Sequence, residues 1–302
     1  MQLDKTRIAI RERDFPELLD LSLHVTRVFA RPLLLTFAFA AIPLAALNHY
    51  LIGWTADIDY RDESPWRFLT WMSLLIFIEA PLASIFTTAY LGEAMFHEQP
   101  RLRDVVKNVA QLWPRVLWCI VILRGPALAL FLAAMLDPFE EPPSVQLVFL
   151  FLLAMGVAIL RSTRPFLVEI VLLERNPLGW SVFRKKTPEL LRTTIGQRSA
   201  TLHNAGSGDL LGRWIGSAAA GLALVVAVVF TFWFGSGVFF NTWSWGPVMT
   251  EICVPLSMWL VACYFTVVRF LSYLDLRIRT EGWEVELRLR AEAARLERAT
   301  VG

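Results

Sequence analysis

The sequence predicts an all-α, polytopic membrane protein with about six transmembrane helices and an amphipathic helix at each cytoplasmic terminus. Three observations carry that expectation. Hydrophobic residues make up 56% of the 302, charged residues 19%, and the mean hydropathy is +0.50; soluble domains run at about 45–50% and about 25%. The apolar excess is gathered into blocks near the roughly 20 residues a bilayer span needs. The basic residues are confined to alternate connections between those blocks. A soluble enzyme is therefore not expected, and a net charge of +2 points to no nucleic-acid partner.

The apolar blocks fall at 33–52, 68–91, 116–136, 145–160, 214–234 and 247–271. Each must be a helix, because an open strand leaves its backbone groups unpaired in lipid. The fourth block is short, about 24 Å at the helical rise, and is expected to gain length from 166–173 beyond the break at 161–165. No secretory signal is expected: residues 1–32 carry eleven charges and no apolar stretch ends in a small-residue cleavage site.

Lys and Arg number six in 1–32, four in 92–115, nine in 161–213 and seven in 269–302, which is 26 of 29. The other connections hold two basic residues, Arg61 and Arg67, against eight acidic ones. Basic loops stay in the cytoplasm. The expected topology therefore has both termini inside, in a multi-pass protein of the cytoplasmic (inner) membrane.

Three units follow: an amphipathic segment 1–32, a six-helix domain 33–271 with a cytoplasmic loop at about 174–213, and an amphipathic helix 272–302. In the first, Phe15, Leu18, Leu19, Ser22, Val25, Val28 and Phe29 share a face, and Asp14 with Pro16 marks the start. Such a helix is expected along the interface. Residues 196–208 are rich in turn formers and read as a loop; Gly and Ser there could cup an anion, although no GxxxxGK[ST] is present. Residues 283–290 alternate as a strand would, but the segment after them is strongly helical, so helix is preferred throughout. The outward aromatics Phe239, Phe240, Trp243 and Trp245 read first as an interfacial belt and second as a ligand cage.

Glu79 and Arg124 are the ionisable residues deep inside clear spans. Either alone costs at least ~2.5 kcal/mol at a helix centre. Both lie about 17–18 Å from the outer ends of consecutive spans, so they are expected to pair. Each has a proline two residues on, Pro81 and Pro126. Two roles stay open: a pair that fixes helix register, or broken helices lining a translocation path. No catalytic, cofactor-binding or metal-ligating constellation is visible. The histidines are scattered, and Cys119, Cys253 and Cys263 stand singly.

Three stretches carry a resemblance. They are Leu91-Gly-Glu-Ala-Met-Phe-His-Glu-Gln-Pro100 with Leu112-Trp-Pro114; Pro165-Phe-Leu-Val-Glu-Ile-Val-Leu-Leu-Glu-Arg-Asn-Pro177; and Tyr273-Leu-Asp-Leu-Arg-Ile-Arg-Thr-Glu-Gly-Trp283. Together they resemble the bacterial six-span membrane proteins related to the membrane domain of glycerophosphoryl diester phosphodiesterases. The resemblance implies a helical inner-membrane protein; the phosphodiesterase activity of some relatives belongs to a soluble domain that nothing here matches. At 196–208 the chain departs from the pattern, which implies a continued amphipathic helix there. Asp275, Arg277, Arg279 and Glu281, just past the sixth span, form a candidate docking motif for the cytoplasmic segments. The expected function is a non-enzymatic scaffold or complex subunit, with the lipid bilayer and other membrane proteins as partners and no cofactor. The alternative is a transporter or lipid-handling protein using the Glu79–Arg124 level.

Overall fold

A computed structural model describes residues 13–59, 65–95, 100–122, 126–134, 143–164, 166–176, 194–204 and 207–281. Every regular element among them is helical, and the protein is a multi-pass helical membrane protein. Five helices are long and apolar enough to span: Ala30–Ala56, Trp66–Ala94, Ser144–Ser162, Leu210–Phe240 and Met249–Thr280. A sixth is obtained when Leu102–Gln111 and Trp113–Ile122, bent by 67°, count as one. The predicted third span, 116–136, contains π-helical Leu117–Ile122 and helical Pro126–Ala134, with 123–125 outside the described residues.

Helix α1 (Phe15–Val28) starts at extended Asp14, with Pro16 in the first turn, and buries Leu18, Ser22 and Val25 at helical spacing. Its buried face docks on the bundle. The Tyr264 hydroxyl donates to the Leu19 carbonyl at 2.9 Å, and Phe15 lies where a Cβ on Gly216 would stand. Val28, assigned to the apolar face, stays exposed. Phe29 interrupts the helix before α2 (Ala30–Asp59).

The return span is broken once. Helix α3 (Trp66–Ala83) gives way at Ser84 to α4 (Ile85–Ala94), three residues after Pro81. Proline removes an amide donor and crowds the preceding turn, so the sequence puts a kink near Phe77; the helix instead runs through Pro81 to Ala83 and breaks at Ser84. Helix α5 (Leu102–Gln111) packs against α4. Then come α6 (Trp113–Val116) with its π-helical continuation, α7 (Pro126–Ala134) and α8 (Pro143–Ser162). At 20 residues α8 is longer than its apolar block, and the expected extension is a separate turn instead: α9 (Leu167–Glu169) running into π-helical Ile170–Glu174.

The stretch read as a turn-rich loop is largely helical. Helix α10 (Ile195–Asn204) and helix α11 (Ser207–Phe240) account for most of 196–208. Leu202 and Ile195 are buried, so tertiary burial outweighs the weak helix propensity of Gly and Ser. The last helix, α12 (Val254–Glu281), follows a π-helical turn, Met249–Cys253, and passes residue 272 without a break. Residues 272–281 therefore continue the sixth span; 282–302 lie outside the described residues, as do 1–12 and Arg184-Lys185-Lys186.

The two larger apolar cores among the described residues stack along the bundle. One, around Leu18, Tyr90, Ile120, Leu167, Phe270 and Tyr273, lies at the end where the basic segments meet. The other, around Phe68, Trp71, Leu75, Leu150 and Trp259, lies toward the opposite end. Helix α11 packs one side on α12 and its preceding turn, where Val229 meets Met249 and Val254, and leaves most of its apolar surface to lipid. The aromatic hairpin after it is tied down: Asn241 adopts φ 53°, and the Trp233 indole N–H donates to the Trp243 carbonyl at 3.2 Å. Phe239 and Phe240 remain outside, as a belt requires.

In lipid, helices gain little from the hydrophobic effect and depend on close packing. Gly92 on α4 provides it: a Cβ there would collide with Cδ2 of Leu173. Gly92→Ala pushes the Leu173 methyl aside but gains about 1 kcal/mol of helix propensity, so a net cost of about 0–2 kcal/mol is expected, read as a lowered thermal midpoint in detergent. Combined with Leu173→Ala, the total should be less than the sum of the two separate costs.

Candidate functional site

The basic segments converge on a buried lattice of charges. Glu169 is fully buried; Arg269 donates from Nε to its Oε1 at 2.6 Å and from Nη2 to the Ser84 hydroxyl at 2.9 Å. Ser84 in turn donates to the Pro81 carbonyl at 2.8 Å. The kink of α3 is thereby linked to α9 and α12.

Glu174 is the second node. Arg198 holds it bidentately, Nε to Oε2 at 2.8 Å and Nη2 to Oε1 at 2.9 Å. The Tyr273 hydroxyl donates to Oε1 at 2.6 Å and the Asn176 amide to Oε2 at 3.0 Å, while Arg277 stands 3.7 Å away. Fork-to-fork arginine–carboxylate pairs are among the stronger and more directional polar contacts.

Asp275 is the third. Its Oδ1 accepts the Arg13 backbone N–H at 2.9 Å; its Oδ2 lies 2.9 Å from Arg213 Nη2 and 3.1 Å from Arg279 Nε. Arg279 also donates to the Arg13 carbonyl at 2.6 Å. The candidate docking motif is thus divided. Asp275 and Arg279 bind the N-terminal segment and α11, Arg277 leans on Glu174, and the Glu281 side chain lies outside the described residues.

Beside the lattice lies a cleft of about 500 Å³ between α4, α5, the π-helical turn after α9, and α12. Its polar lining is Glu93, Asn108, Glu174, Arg175, Tyr273 and Arg277; Val109, Leu112, Leu172 and Leu173 contribute the apolar floor. Asn108 donates to Oε1 of Glu93 at 2.6 Å. Arg175 closes the π-helical turn at φ 53°, and its carbonyl accepts from Arg115 at 3.0 Å.

Compared with protein-family models, curated proteins and solved structures, the chain matches none.

The middle of the bundle holds a second polar level. Asn48 Nδ2 donates to Glu79 Oε2 at 2.8 Å, both residues being buried. Arg124, expected as the partner of Glu79, lies outside the described residues. Arg161, at the end of α8, turns inward. It donates to the Phe77 carbonyl at 2.5 Å and the Ile78 carbonyl at 2.6 Å, with its guanidinium carbon 4.5 Å above the Phe77 ring. The reason is local. Phe77 is four residues before Pro81, so its carbonyl has no amide to bond, and a guanidinium supplies the missing donor.

Two signals in the sequence could have located these contacts. Asn48 lies 11 residues from the end of α2 at Asp59 and Glu79 lies 13 from the start of α3 at Trp66, hence level on antiparallel helices. Pro81 alone marks an orphan carbonyl at Phe77. Asn48→Leu is expected to cost about 1 kcal/mol, the scale of interhelical polar contacts in lipid, with recovery in Asn48→Leu/Glu79→Leu; paired thermal midpoints check it.

Proposed function

We propose that the protein is a non-enzymatic scaffold or complex subunit of the cytoplasmic membrane, with both termini and the charge lattice on the cytoplasmic side. One observation carries the reading. Glu169, Glu174 and Asp275 are buried or nearly so, and each is held by arginines from segments far apart in the chain. These acids are committed to holding α1, α9, α10, α11 and α12 at one end, which gives a rigid platform. The concentration of Lys and Arg in the segments that form that end supports its cytoplasmic side. The same end supports kinship with the six-span proteins related to phosphodiesterase membrane domains: Gly92, Glu93, Glu174, Tyr273 and Arg277, from the three resembling stretches, all line one cleft.

The test is affinity purification of the tagged full chain from native membranes, with reporter fusions after Gly302, within 184–210 and near Glu141. A membrane protein co-purifying at constant stoichiometry, with inside, inside and outside reports, is the expected result. A chain that purifies alone, or an inverted pattern of reports, overturns the reading.

The buried Asn48–Glu79 contact near mid-depth favours a second reading, a transporter or lipid-handling protein using the Glu79–Arg124 level. Glu79 does not line the cleft. The exchange Glu79→Arg/Arg124→Glu separates the two: assembly returns if the pair sets register, whereas a transport path stays impaired.

A further inference from the structure

We propose that the cleft at the basic end binds the headgroup of a glycerophospholipid bearing a primary ammonium, drawn from the surrounding bilayer. The inference goes beyond the scaffold reading and needs only that the chain spans a membrane.

Height is the first argument. Glu93 follows Trp66 by 27 residues and Tyr273 follows Met249 by 24, or about 40 Å and about 36 Å along the helices. A hydrocarbon core of about 30 Å, entered at the aromatic end, leaves both residues in the opposite headgroup layer. Helix α5, which walls the cleft, has the pattern of an interfacial helix. It buries Val105 and Val109 against α4, exposes Leu102 and Val106 with neighbouring Trp113, and carries exposed Arg103 and Lys107. Its 67° bend from the next helix fits that placement.

Charge is the second argument. Glu174 is already occupied by Arg198, Tyr273 and Asn176. Among the described residues the groups left to a ligand are the Arg175 guanidinium, exposed and with only its carbonyl engaged, and the carboxylate oxygen of Glu93 that Asn108 does not reach. One cation and one anion above an apolar floor match a phosphodiester joined to an ammonium. An anionic headgroup would set its phosphate beside Glu93 without compensation. A quaternary ammonium has no N–H to donate to that carboxylate.

The experiment follows thermal unfolding of the full chain in maltoside detergent against dihexanoyl phosphatidylethanolamine, phosphatidylcholine and phosphatidylglycerol, with water-soluble glycerophosphoethanolamine as a fourth probe. The ethanolamine lipid should raise the midpoint saturably, with the other two lipids and the soluble headgroup well behind. Glu93→Gln, which keeps the acceptor for Asn108, should bring the ethanolamine lipid down to the choline lipid. Arg175→Gln should weaken all three lipids about tenfold, roughly one charge-assisted bond. A glycerol-headgroup lipid equal to the ethanolamine lipid overturns the proposal, as does an unchanged preference in Glu93→Gln or no response to any lipid. The soluble headgroup binding as tightly as the lipid overturns the bilayer as its source. The wild-type comparison stands even where a variant fails to fold.

Discussion

Asp275→Ala is expected to lower stability by about 3–5 kcal/mol, the range for breaking a buried ion pair by removing one partner. Asp275 is 1% exposed; its Oδ1 accepts the Arg13 backbone N–H, and its Oδ2 lies at ion-pair distance from the guanidinium groups of Arg213 and Arg279. Without the carboxylate, Arg213 at 9% exposure loses its 2.9 Å ion pair, and the start of α1 loses its anchor. Asp275→Asn keeps an acceptor for the Arg13 amide but not the charge, so it should fall between wild type and alanine. Arg279→Ala should cost less, because that side chain is 30% exposed and keeps part of its hydration. Thermal midpoints in detergent give the order, and limited proteolysis within residues 1–28 reports whether α1 has come free. Equal midpoints for wild type and Asp275→Ala would show that the lattice does not hold the N-terminal helix.

Arg161→Met should cost about 1–3 kcal/mol, the scale of one buried unsatisfied group. It leaves the Phe77 carbonyl without a donor, while the Ile78 carbonyl loses the guanidinium but keeps Leu82 four residues on in the helix. The mechanism makes a sharper demand. Pro81→Ala restores an N–H four residues after Phe77, so the double variant should be more stable than Arg161→Met alone. The Phe77 share should return, leaving only the second contact to Ile78 missing. Additive costs in this cycle would mean that the arginine acts independently of the proline. Arg161→Lys should recover little, because a compact ammonium does not reproduce the planar fork that spans two carbonyls.

The sequence already contains much of this architecture. Apolar block length set the spans, because lipid admits only helices with satisfied backbones. The positions of Lys and Arg grouped the segments that the structure gathers at one end. Asp14 with Pro16 forecast the start of α1, while Pro81 marked its span as breakable although the break falls beyond it, at Ser84. Residues 196–208 misled, since Gly and Ser signal turns by local propensity while burial of Ile195 and Leu202 makes a helix there.

Partnership among charges was decided only by the tertiary structure. Asp275 could have met any of seven Lys or Arg in its own C-terminal segment, yet it meets Arg13 and Arg213, 262 and 62 residues away, as well as Arg279. Periodicity tells a helix which face to bury, through a local repeat of side chains. Which helix covers that face depends on how all the spans pack together, and in lipid that is settled by close approach, as at Gly92 and Leu173, and by the geometry of polar contacts.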